Sequence, residues 1–277
     1  NYLYLGLSFA LIGATFALIV FGWLLILRRL DVRLPFWKGF RVWFLSALGK
    51  YIPGKVWQAF AMVYLSRKEG ITVEKSATSA ILVQILSIVP GVSLFIVTVK
   101  WVKLGLRGWS YPLLLFIPLG LFVTYPPVLE ALVNFLARKL KREGIHFRAT
   151  YATVLGLMLL YLLTWFLYGC AFFSFVRAVA FVEAKHIMVF GGMFAGAYLL
   201  GVFSIFVPGG LGVREGALAF LLTPFFPLPV ATAISLASRI WLTLAEAVCV
   251  GISLRGLRAS ASATENRFGQ GKRARSG

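Results

Sequence analysis

Lys50-Tyr51-Ile52-Pro53-Gly54-Lys55-Val56-Trp57 sets two lysines and a Pro-Gly break inside an apolar run from Phe40 to Leu65. A charge at bilayer depth costs at least ~3 kcal/mol, so such residues mark function more often than simple spanning. Each limb around the break has about a dozen residues. As helix that reaches roughly 18 Å, short of the ~30 Å of bilayer hydrocarbon. Arg41 flanks the first limb, and Arg67 and Lys68 the second. Basic residues at both ends predict a re-entrant hairpin that enters and leaves on the cytoplasmic side. A single spanning helix kinked at Pro53 is the competing reading.

The surrounding composition is that of a membrane protein. Of 277 residues, 60% are hydrophobic and 13% charged, and the mean hydropathy is +0.88. A soluble domain carries about 25% charged residues. The 25 Phe and eight Trp suit lipid-facing helices and interfacial belts. The net charge of +19 would point to nucleic acid in a soluble protein. Here the basic residues cluster in short loops between apolar runs, where they set topology, so nucleic acid is not an expected partner. Cys170 and Cys249 lie within apolar segments and predict no disulfide. The chain opens inside a hydrophobic helix without Met, which reads as a truncated N-terminus.

The fold class that follows is an all-α polytopic membrane protein, with about five spanning helices and two re-entrant broken hairpins. Spans are predicted over 3–27, 76–99 (through Pro90-Gly91, a kink site), 109–125, 150–176 and 230–254. Between the third and fourth spans, Leu129, Leu132, Val133, Leu136 and Leu140 share a helical face, predicting an amphipathic interfacial helix. The loops assigned to the cytoplasm, with the C-terminal tail, hold 19 of the 28 Lys and Arg, against five in the outer loops. This places the C-terminus of a multi-pass protein in the cytoplasm. Residues 1–255 form the transmembrane domain, and 256–277 read as a disordered basic tail.

Four cations remain at membrane depth: Lys50, Lys55, Arg214 and Arg239. Arg214 belongs to the second break, Pro208-Gly209-Gly210-Leu211-Gly212-Val213-Arg214-Glu215-Gly216, which follows the apolar, glycine-rich run 187–207. If both breaks are re-entrant, the halves have inverted topology, a recurring transporter arrangement. At the first tip, a helix starting near Pro53 would present the free N–H groups of Gly54, Lys55 and Val56 to an anion. Lys50 and Lys55 add charge there, and Tyr51 and Trp57 can stack on or donate to a headgroup. The competing reading has the lysines snorkel to the interface.

At the second tip, Gly209, Gly210 and Gly212 allow unusual backbone angles and close approach. Arg214 and Glu215 diverge by about 100° on a helix, whereas Arg239 and Glu246, seven residues apart, share a face. These four charges read either as a salt-bridge network that packs or gates, or as headgroup ligands and a proton-coupling carboxylate. Anion capture is assigned to the net-positive first tip, and gating to the balanced second. No Walker-type phosphate loop, metal-ligand cluster or Ser-His-Asp set can be assembled, His146 and His186 falling on opposite sides of the membrane. Neither catalysis nor a cofactor is expected.

The residues 50–57, Ser66 to Gly70 and 208–216 are similar to the signature stretches of the lysylphosphatidylglycerol synthase transmembrane (flippase-like) family, over roughly residues 5–255. The resemblance implies a polytopic inner-membrane fold with re-entrant helices. In bifunctional members this region moves aminoacylated phosphatidylglycerol between leaflets, and a separate soluble domain makes that lipid from aminoacyl-tRNA. The present sequence holds no counterpart of the soluble domain. Other members are linked to polyprenol-phosphate sugar pathways or envelope glycolipids. The expectation is a flippase for a phospholipid or polyprenol-phosphate lipid, bound by Lys50, Tyr51, Pro53, Gly54, Lys55, Trp57, Gly209, Gly210, Gly212 and Arg214. The alternative is a non-transporting partner that presents lipid to a soluble glycosyl- or aminoacyl-transferase.

Overall fold

The computed structural model describes residues 1–52, 56–99, 116–139, 149–204, 207 and 210–273. Among them the chain forms ten α-helices and no strand. In order these are α1 (Tyr2–Arg29), α2 (Phe36–Ala47), α3 (Val56–Lys68), α4 (Val73–Val99), α5 (Phe116–Val123), α6 (Pro126–Lys139), α7 (Tyr151–Val179), α8 (Ile187–Phe203), α9 (Val213–Leu222) and α10 (Leu228–Arg273).

Among the described residues, five segments are long and apolar enough to cross a membrane: Tyr2–Arg29, Val73–Thr98, Tyr151–Val179, Ala184–Phe203 and Leu228–Gly256. Four coincide with predicted spans. The fifth is α8 with its 3₁₀ lead-in, which the sequence reading assigned to the second broken hairpin. Of the predicted span 109–125, the described part includes the eight residues of α5; 100–115 lie outside the described residues. Helix α10 extends past its apolar stretch to Arg273.

The core is built on α1 and α7, which pack along each other, with α4 and α8 against them. Trp23, Phe172, Phe190 and Phe194 are fully buried there. Helices α7 and α8 cross at Gly169 and Gly191, where a Cβ on Gly169 would come within 2.6 Å of the Gly191 Cα. Small residues at such a crossing let backbones touch, as the glycine-rich run predicts. Helix α4 continues through Pro90, and the Trp165 indole N–H donates to the Ser87 carbonyl in the preceding turn, at 2.8 Å. A neighbouring side chain thereby serves the backbone beside the proline. Leu129 and Val133 of α6 are buried and α6 packs on α4, so part of the predicted amphipathic face covers protein.

Both broken segments are helical hairpins. Helices α2 and α3 pack together, and their outer ends meet where Lys38, in the first turn of α2, pairs with Glu69 just past α3, at 2.7 Å. At 12 and 13 residues they reach about 18 and 20 Å, too short to cross singly. Helices α8 and α9 pair in the same way. His186 and Phe190, at the start of α8, each set their rings 5.0 Å from Phe225, just past α9.

Candidate functional site

At the tip of the first hairpin α2 is followed by a 3₁₀ segment, Leu48–Tyr51. Pro53, Gly54 and Lys55, three of the predicted ligands, lie outside the described residues, as does the proposed helix start. Gly49 makes the turn tight: a Cβ there would come within 2.7 Å of the Gln58 backbone nitrogen. Lys50 and Tyr51 therefore project from the tip together. They do not stand free. The Lys50 ammonium is salt-bridged to the Glu246 carboxylate on α10, and the Tyr51 hydroxyl donates to the same Oε2 at 3.1 Å. The ammonium also lies 5.2 Å from the Tyr51 ring centroid. Trp57 is half-exposed beside Phe60 on α3.

At the tip of the second hairpin the described residues are Ser204, Val207 and Gly210 to Gly212. Gly209, a predicted ligand, and its neighbour Pro208 lie outside the described residues. Gly210 and Gly212 have φ of +68° and +79°, left-handed values that glycine adopts without steric cost. Gly210 also presses on Gly201 of α8, where a Cβ would come within 2.8 Å of the backbone. The Glu215 carboxylate reaches back from α9 to accept the Gly212 N–H at 2.7 Å, capping the helix start. Its other oxygen pairs with Arg239 of α10 at 2.6 Å. The Ser235 hydroxyl donates to the Glu215 carbonyl at 2.8 Å, a second tie from α9 to α10.

Arg239 and Glu246 thus project toward the hairpins from one face of α10, two turns apart, as their spacing predicts. They bracket the middle of the apolar stretch Leu228–Gly256. Each takes a partner from a different hairpin. The balanced network expected among Arg214, Glu215, Arg239 and Glu246 forms only in part, because Glu246 is taken by Lys50.

Among the described residues, Arg214 is the charge left over. It is 7% exposed, and its guanidinium lies over the rings of Phe194 and Tyr198, at 5.0 and 5.1 Å. Its Nη2 is buried without a hydrogen-bond partner. Gly201 makes the position possible, since a Cβ there would stand 3.0 Å from the Arg214 Cβ. Phe194, Tyr198 and Ser235 were not singled out from sequence, and Gly201 was read only as part of the glycine-rich run 187–207 that permits close packing. The spacing i, i+4, i+7 of Phe194, Tyr198 and Gly201 was the available signal, one face of α8 turned to α9.

No match was found among curated proteins or among solved structures. The family model described as "Lysylphosphatidylglycerol synthase TM region" matches residues 1–251, which takes in both hairpins, both ion pairs and Arg214. The chain belongs to the lysylphosphatidylglycerol synthase transmembrane family.

Proposed function

We propose that this chain is a lipid flippase that binds a phosphate-bearing lipid headgroup between its two hairpins and moves it from one leaflet to the other. A headgroup crossing hydrocarbon alone loses its hydrogen bonds to water, and a polar lining lowers that cost. The observation that carries the reading is the clasp on α10. Each hairpin meets α10 through a charged pair at mid-span, and among the described residues there the cations Lys50, Arg214 and Arg239 stand against the carboxylates Glu215 and Glu246. A purely structural network would balance its charge; this one retains a positive charge suited to an anion.

In this reading both hairpins are re-entrant, the halves are related by inverted topology, and the acyl chains stay in lipid. The protein resides in the inner membrane with its C-terminus in the cytoplasm, as the basic loops favour. Catalysis is not part of the proposed role. The test is the leaflet distribution of headgroup-labelled phospholipid in reconstituted vesicles. Movement well above protein-free vesicles is expected, with loss in a combined Lys50→Ala, Lys55→Ala, Arg214→Ala variant. Protein-free rates for the folded wild-type chain would overturn flipping, and co-purification with a soluble transferase would then favour lipid presentation.

A further inference from the structure

Glu215 and Glu246 are both paired at mid-span, but they are not equally open to a proton. Glu215 gives one oxygen to Arg239 and the other to the Gly212 N–H. A proton on either oxygen would disturb the ion pair or the cap of α9. Glu246 receives both of its partners, the Lys50 ammonium and the Tyr51 hydroxyl, on the single oxygen Oε2. Among the described residues no hydrogen bond or ion pair reaches its Oε1. Tyr51 is half-exposed, so the shared oxygen lies beside an open edge of the tip. The two hairpins also differ in what remains when the charge is lost. The Ser235 hydroxyl holds α9 to α10 through the Glu215 carbonyl, which no change of charge removes. The first hairpin keeps a tie near its open end, from the Arg41 guanidinium to the Gly256 carbonyl at 3.5 Å, while Lys50 at its tip depends on the charge of Glu246.

We propose that Glu246 is the proton-binding site of the transport cycle, and that on taking a proton it releases Lys50 to the negative charge of the lipid headgroup. The inference rests on the flippase reading above and adds its coupling ion. Separating Lys50 from Glu246 in hydrocarbon leaves two unpaired charges. A proton from water, bound at Oε1, removes the negative one, and the headgroup anion compensates the positive one. Neither event suffices alone, so proton and lipid enter together. When the headgroup leaves on the other side, the O–H bond breaks, the proton returns to water there, and the Lys50–Glu246 pair closes again. One proton accompanies one negative charge, so the charge of the site is the same in both states. Arg214, Arg239 and Lys55, the last outside the described residues, carry the same charge throughout and drop out of this balance. The titratable and charged groups around the pair are Tyr51, Arg214, Glu215, Arg239, Cys249, Tyr168 of α7 and Tyr198 of α8. Phenols, thiols and cationic side chains ordinarily titrate above pH ~8, which leaves the two carboxylates to be distinguished by substitution.

The test uses the full chain in phosphatidylcholine vesicles with a trace of headgroup-labelled phosphatidylglycerol, the membrane potential being clamped with potassium and valinomycin. A difference of one pH unit is expected to drive the leaflet ratio of the probe toward about tenfold, in favour of the leaflet facing the alkaline side, the limit for one proton per lipid. Movement by the wild-type chain that ignores the gradient would overturn the coupling and leave the flippase reading standing. Protein-free rates for folded wild-type chain would overturn that reading and the coupling with it. Glu246→Gln is expected to lose the bias and Glu215→Gln to keep it; the reverse would overturn the assignment to Glu246. Lys55→Gln should keep the bias, and loss there with retention in Lys50→Gln would overturn the role of Lys50. For variants that move no lipid, spin labels at Leu48→Cys and Val248→Cys, with Cys170 and Cys249 replaced by alanine, report the separation of the tip from α10 by dipolar broadening. Both positions are exposed. In the same lipid the broadening is expected to weaken from pH 7.5 to pH 5.5, and to be weak at both pH values in Glu246→Gln. A separation that does not respond to pH in the wild-type chain, or a response that survives in Glu246→Gln, would overturn the proposal.

Discussion

Lys50 and Glu246 form an ion pair across 196 residues of sequence, joining the tip of the first hairpin to the middle of the last helix. Their side chains keep 27% and 16% of their exposure. Removing one partner of a fully buried pair costs about 3–5 kcal/mol. With residual exposure, Lys50→Met or Glu246→Gln is expected near the lower end, about 2–3 kcal/mol. The double variant Lys50→Met, Glu246→Met should fall short of the sum by about 1–3 kcal/mol. Reversible unfolding in mixed micelles measures this, and strict additivity would show that the pair contributes no coupling.

Glu215 serves two elements at once, so its substitutions should separate them. Glu215→Gln keeps an acceptor for the Gly212 N–H but loses the charge facing Arg239, and is expected to cost about 2–3 kcal/mol. Glu215→Ala also uncaps α9 and should cost about 1 kcal/mol more. Equal losses for the two variants, in the same unfolding assay, would remove the capping role.

The two left-handed glycines of the second tip should respond unequally to alanine. Gly212 has open space around its missing Cβ, so Gly212→Ala meets backbone strain alone, about 1 kcal/mol. Gly210→Ala adds a clash with the Gly201 backbone and is expected to cost about 2–4 kcal/mol. The ratio of the two unfolding shifts is the readout, and a larger loss at Gly212 would contradict the geometry.

Topology can be read by thiol labelling in sealed cells, with Cys170 and Cys249 replaced by alanine. Trp37→Cys and Arg67→Cys sit near the joined ends of the first hairpin and are exposed. Both should label from the cytoplasmic face. Phe181→Cys, 84% exposed in the loop after α7, should label from the outer face. Labelling of positions 37 and 67 from opposite faces would make α2 and α3 one kinked span. Lys38→Ala should shift stability by less than ~1 kcal/mol, since the Lys38 side chain in the Lys38–Glu69 pair is 47% exposed.

Much of this arrangement could be read from the chain. Arg28 and Arg29 mark the end of α1, and the Pro-Gly breaks divide both hairpins where the charges stop matching a simple span. The shared face of Arg239 and Glu246 follows from helical spacing alone. What could not be read is which charge meets which. Lys50 and Glu246 share no local period, and nothing in either segment announces the other. Among the described residues their pairing leaves Arg214 without a carboxylate, because the one taken by Lys50 is withheld from it. The α8 face carrying Phe194 and Tyr198 was obscured for another reason. Helix α8 is apolar all round, so its sequence does not distinguish a ring that supports a guanidinium from one that fills the core.

The two anchor points on α10 are seven residues apart, close to two full turns, and each is held by a different hairpin. An axial slip of α10 by a single turn, about 5.4 Å, would carry both anchors out of register together. The hairpins are therefore mechanically in series through one rod. Neither can lose its anchor by sliding of α10 while the other keeps its own, so such a slip would switch the two halves of the protein as one unit.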